Sequence, residues 1–90
     1  MDISINNCDQ MHSYANELSR NSTDLMDLMN RINAQGHAAL ENWNDKGAQN
    51  FMRELDEQKR VIAAIAQTMQ SFATFVHRKA NAAENAANQR

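Results

Sequence analysis

The sequence predicts an all-α fold, an antiparallel two-helix hairpin expected to pair into a four-helix bundle. Three observations carry this. Two long stretches repeat apolar residues every seven positions. The segment between them, Trp43-Asn44-Asp45-Lys46-Gly47, gathers turn-forming residues in the middle of the chain. Elsewhere the chain is proline-free and rich in Ala, Asn, Gln, Glu, Leu, Met and Arg, a composition that leans helical. Helix 1 is expected over about 7–42, the turn over about 43–46 and helix 2 over about 47–80, with an alanine- and asparagine-rich tail at 81–90 that has little to bury. The whole is one domain.

Ile3-Ser4-Ile5 alternates and is too short for more than an extended lead-in. Asn6 is the expected N-cap of helix 1, with Asp9 suiting the helix dipole three residues on. Met11, Leu18, Leu25, Ile32 and Ala39 recur by sevens, Tyr14 and Leu28 fill the companion row, and Ala15 and Met29 widen it. Asn21 and Gln35 fall on that companion row and weaken it. An apolar repeat held over several heptads argues for a helix packed lengthwise on another. Gly36 sits late in helix 1, where it costs about 1 kcal/mol against Ala; close helix approach and a slight bend are both open explanations.

Asn44 or Asp45 is the expected cap of helix 2, with Gly47 in its first turn. Leu55, Ile62, Met69, Val76 and Ala83 again recur by sevens, with Phe51, Ile65, Phe72 and Ala86 as companions. Arg53, Arg60, Gln67, Thr74 and Asn81 form a polar edge. Met52, Val61, Ala64, Ala66, Ala73 and Phe75 broaden the apolar arc beyond what one neighbour can cover, so a dimer or heterodimer is expected. Size argues the same way. A compact chain of this length buries only ~60% of its unfolded surface, and an extended hairpin buries less.

Several function classes find no support. The net charge is −2, without the clustered basic face that nucleic acid requires. Cys8 is the only cysteine, so no internal disulfide can form. His12, His37 and His77 are far apart in sequence and lack companion ligands at short spacing, so no metal site is expected. Glu54, Asp56 and Glu57 read as a solvated face, and Met11, Met29, Met52 and Met69 as packing residues beside the apolar stripes. There is no phosphate loop and no nucleophile–base pair. Neither a cofactor nor enzymatic activity is expected. The first residues lack the basic start and apolar run of a secretory signal, and no stretch approaches the ~20 apolar residues that span a bilayer. The chain is therefore expected to be made in the cytoplasm and, if exported, to leave without a removable Sec-type signal.

A chain of ~90 residues with two amphipathic helices and a central Trp turn followed by Ala48 and Phe51 resembles the Trp-x-Gly (WXG) superfamily. These are the early-secretory-antigen-like (Esx-like) hairpin proteins of type VII secretion in Gram-positive bacteria. The resemblance covers nearly the whole chain. The strict tripeptide is absent: Asp45 stands where the family has glycine, and Gly47 follows two residues later. Asp45 can serve as an N-cap there, and the large aromatic ring can plug the mouth between the helices. The export signal Tyr-x-x-x-Asp/Glu is also missing; Phe72 is followed four on by Val76, and Phe75 by Lys79. In the family such signals often lie on one partner only. The resemblance thus implies a chain secreted, or guiding secretion, as half of a complex. Its partner would be a second copy, another hairpin protein, or the helical N-terminal region of a larger effector or toxin, with the secretion ATPase as a further candidate. The expected turn motif is Trp43, Asp45, Gly47, Ala48 and Phe51. The expected packing and partner-binding residues are Met11, Leu18, Leu25, Leu28, Ile32, Leu55, Ile62, Ile65, Met69, Phe72, Phe75 and Val76. The alternatives from the residues alone are a self-assembling filament or needle subunit, although needle hairpins usually carry Pro in the turn, and a cytoplasmic helical adaptor.

Overall fold

The computed structural model describes residues 7–43 and 45–88. Two helices, α1 (Cys8–Leu40) and α2 (Lys46–Asn88), pack antiparallel along their length. The molecule measures 69 × 21 × 13 Å. Its thickness is close to one helix diameter of ~10–12 Å, so the fold is a single layer with no enclosed interior. The radius of gyration is 20.0 Å, against about 12 Å for a compact domain of this length.

Both helix starts are capped by side chains. Asn7, one residue after the expected cap, accepts the Gln10 backbone N–H at 2.9 Å. Asn6 and the Ile3–Ile5 lead-in lie outside the described residues. At α2, Gly47 N–H donates to Asp45 Oδ1 at 2.8 Å, which makes Asp45 the cap. These bonds satisfy N–H groups that the helix itself leaves without a partner.

The α2 helix extends beyond the expected end at 80. The 81–88 segment continues it, because Ala80 is fully buried and Ala83 and Glu84 are half-buried against the start of α1. Alanine contributes high helix propensity there and lets the two helices stay close.

The most buried positions of the seam hold mostly small side chains. Ala15, Ala73 and Val76 form its most buried cluster, with Met11 and Leu18 packed against it. Along α2, Ala48, Met52, Leu55, Lys59, Ile62, Ala66, Met69, Ala73, Val76 and Ala80 face α1 at alternating steps of four and three. The sevenfold rows Met11–Leu18–Leu25 and Leu55–Ile62–Met69–Val76–Ala83 therefore lie where expected. The companion rows do not. Ala15, Ser22 and Met29 take the place expected for Tyr14 and Leu28, while Ala66, Ala73 and Ala80 take the place expected for Ile65, Phe72 and Ala86. Helices approach more closely through small residues, and the larger rows are displaced outward. Ile32 and Ala39 also leave the seam. A straight helix drifts ~20° per heptad from an exact sevenfold repeat, so Asn33, Gly36 and Leu40 face α2 instead. Gly36 is explained by close approach: a Cβ there would stand 3.3 Å from Met52 Sδ and 3.5 Å from Leu55 Cδ2.

Candidate functional site

The two broad faces of the single layer differ in chemistry. One carries a ladder of polar contacts between the helices. Midway, Gln70 bridges to α1: Ser19 Oγ donates to Gln70 Oε1 at 3.0 Å, and Gln70 Nε2 donates to the Ser19 carbonyl at 3.0 Å and to Ser22 Oγ. The buried Ser22 hydroxyl in turn donates to the Ser19 carbonyl at 2.9 Å. Nearer the turn, Asn33 Nδ2 donates to Asp56 Oδ1 at 2.6 Å, with His37 Nε2 at 3.4 Å from the same oxygen. The Asn33 amide is the largest influence holding the Asp56 carboxyl below its usual range; desolvation opposes it, and His37 and then Lys59 add to the lowering. At the end opposite the turn, His12 meets His77 and Glu84. A polar contact made only in one register disfavours slippage of one helix along the other, and this ladder has three such rungs.

The opposite face is apolar. Tyr14, Leu28 and Ile32 stand outward on α1, and Val61, Ile65, Phe72 and Phe75 on α2. The Tyr14 and Phe72 rings meet edge to face with centroids 6.2 Å apart, and Phe72 lies 6.1 Å from Phe75. Lys79 Nζ sits 5.5 Å from the Phe75 ring centre. Between them runs a shallow groove lined by Leu18, Val61, Ile65, Met69 and Phe72. The expected packing set thus divides in two. Met11, Leu18, Leu25, Leu55, Ile62, Met69 and Val76 join the helices to each other, while Leu28, Ile32, Ile65, Phe72 and Phe75 remain on the outer surface.

The turn motif also divides. Asp45 and Gly47 form the cap contact, and Ala48 is buried. Trp43 does not plug the mouth of the hairpin. It is 56% exposed and lies on the polar side beside His37, Leu40, Ala48 and Met52. Its backbone N–H donates to the Leu40 carbonyl at 3.0 Å, closing the turn at the end of α1. Phe51 is 72% exposed and projects away from the helix seam. Trp43→Ala should therefore lower the unfolding free energy by only about 1 kcal/mol, against about 3–5 for a buried aromatic. Urea denaturation at unchanged m would measure it; a loss above 3 kcal/mol would restore the plug.

The histidines were the group that sequence distance concealed. Residues 12 and 77, 19 and 70, and 33 and 56 each lie equally far from the middle of the turn, between positions 44 and 45. Folding the chain at that midpoint would have paired them. Among the described residues no group of three or more His, Cys, Asp or Glu side chains is placed to hold a metal ion, and no helix is long and apolar enough to cross a membrane. No family model, curated protein or solved structure matches the chain.

Proposed function

We propose that this chain is a non-enzymatic subunit of type VII secretion, a Trp-x-Gly-like hairpin that is exported, or guides export, as half of a helical complex. One observation carries the binding role: mostly small side chains take the fully buried seam positions while Tyr14, Leu28, Ile32, Val61, Ile65, Phe72 and Phe75 stand on one outer face. All seven are about half-exposed in the free hairpin, so a partner that covers them gains part of the about 1.5–3 kcal/mol that full burial of each such side chain contributes. Two further helices laid on that face make a four-helix bundle whose core is this apolar row, leaving the polar ladder outside. The secretion assignment rests on the resemblance of the central Trp43–Phe51 turn within a two-helix chain of this length.

The test has two parts. The purified chain is weighed in solution alone and after coexpression with neighbouring genes, above all one encoding a large protein with a helical N-terminal region. The proposal expects a closed dimer or a stoichiometric complex, and appearance in the culture medium only with the secretion ATPase intact. A stable monomer that ignores every neighbour would refute it. Mass that grows without limit with concentration would instead favour a self-assembling filament subunit.

A further inference from the structure

The contact between His12 and His77 has an unusual geometry. The two Nδ1 atoms are 2.6 Å apart, the ring centroids 4.9 Å apart, and the ring planes 28° from parallel. The centroids are farther apart than the nitrogens by about one ring width. The rings therefore meet edge to edge, nitrogen facing nitrogen, and do not lie face over face. That is the arrangement of an in-plane N–H···N hydrogen bond. The other nitrogen of His12, Nε2, lies 3.1 Å from Glu84 Oε1. Glu84, His12 and His77 thus form a chain of hydrogen bonds spanning α1 and α2 at the end opposite the turn.

Proton counting shows what this chain tolerates. With both rings neutral, His12 Nε2–H donates to Glu84, and His77 Nδ1–H donates to the bare His12 Nδ1. One more proton goes to His77 Nε2, outside the clasp, and leaves both bonds in place; the charge on His77 then faces a ring tied to a carboxylate. A second proton can go only to His12 Nδ1. There it meets the His77 N–H head-on, the bond is lost, and two cationic rings are held in contact. Glu84 is the charged group bonded to the pair. Cys8, one turn before His12, is the other titratable side chain on that flank of α1. Asp9 and Arg78 are exposed, and Lys79 lies over the Phe75 ring.

We propose that the Glu84–His12–His77 chain is an acid-operated latch that holds the ends of α1 and α2 together near neutral pH and releases them when both rings are protonated. The observations that support release at this place are local. The latch sits beside the buried seam residues Met11, Ala15, Val76 and Ala80, and the helix ends beyond them carry only the partly buried Cys8, Ala83 and Glu84. The distant Asp45 cap and the Gln70 bridge contain no imidazole.

Histidine-labelled NMR and amide exchange on the full chain test this at roughly pH 7.5 and roughly pH 5. At the higher pH, a scalar coupling across the hydrogen bond should connect His12 Nδ1 with His77 Nδ1, and at the lower pH it should vanish. Amide exchange over 9–15 and 77–86, corrected for the intrinsic rate, should rise about tenfold on acidification, while that over 62–69, beside the imidazole-free Gln70 bridge, stays level. In His77→Gln the tenfold step should disappear. Absence of the coupling at pH 7.5, or the same step in wild type and His77→Gln, would overturn the latch.

Discussion

Ala73→Leu should lower the unfolding free energy by about 1–3 kcal/mol, although it adds only apolar atoms and keeps a strong helix former. Ala73 is 4% exposed and clusters with the fully buried Ala15, in the most buried part of the seam. Three added carbons have no cavity to enter. Either the helices separate, which pulls Val76 and Leu18 out of contact, or a neighbouring side chain leaves its rotamer well. Urea unfolding followed by circular dichroism measures the loss. The control is Ala82→Leu, on the exposed side of the same helix, which should change stability by less than about 0.5 kcal/mol. Equal effects at the two positions would mean that small residues do not set the interhelical distance.

The second large effect belongs to the apolar face. Ile65→Asp combined with Phe72→Asp should weaken self-association or partner binding by at least about 100-fold, as each removed anchor accounts for about 1.5–3 kcal/mol and each new carboxylate opposes burial. The hairpin itself should keep its helicity and lose only about 1–2 kcal/mol of stability, because both side chains are about half-exposed in the free chain. Analytical ultracentrifugation alone and with the coexpressed partner reads the first quantity, and thermal denaturation at a concentration where the wild type is monomeric reads the second. An unaltered complex would show that the partner binds elsewhere, with the polar ladder and the Trp43 rim as the remaining surfaces. A collapsed monomer would show that Ile65 and Phe72 belong to the hairpin core.

The same two rows explain where residue pattern and structure part. Residues three and four positions away are both neighbours on a helix surface. From the sevenfold row 55–62–69–76, the companion can be the large row Ile65 and Phe72 or the small row Ala66, Ala73 and Ala80. Hydrophobicity favours the large row, and the expectation followed it. Packing favours the small row, because a lone antiparallel pair gains most contact by close approach. The larger row is then displaced to the outer face, where an isolated hairpin has nothing to lay on it. The expected dimer and this displacement have one origin: the apolar arc is too wide for one neighbour.

By itself, the sequence determined the helical class, a turn within a few residues of 43–46, an Asn or Asp cap on the second helix, and the sevenfold rows as far as Leu25 in α1 and along α2, because all of these depend on residues close together in the chain. Only the tertiary structure decided which companion row is buried, that Trp43 sits at the rim, that Ala80 draws the last turns of α2 against α1, and that His12 meets His77. Each of these depends on interhelical distance and register. Those are set jointly by contacts distributed over the whole 69 Å of the hairpin, and no single local stretch of sequence specifies them.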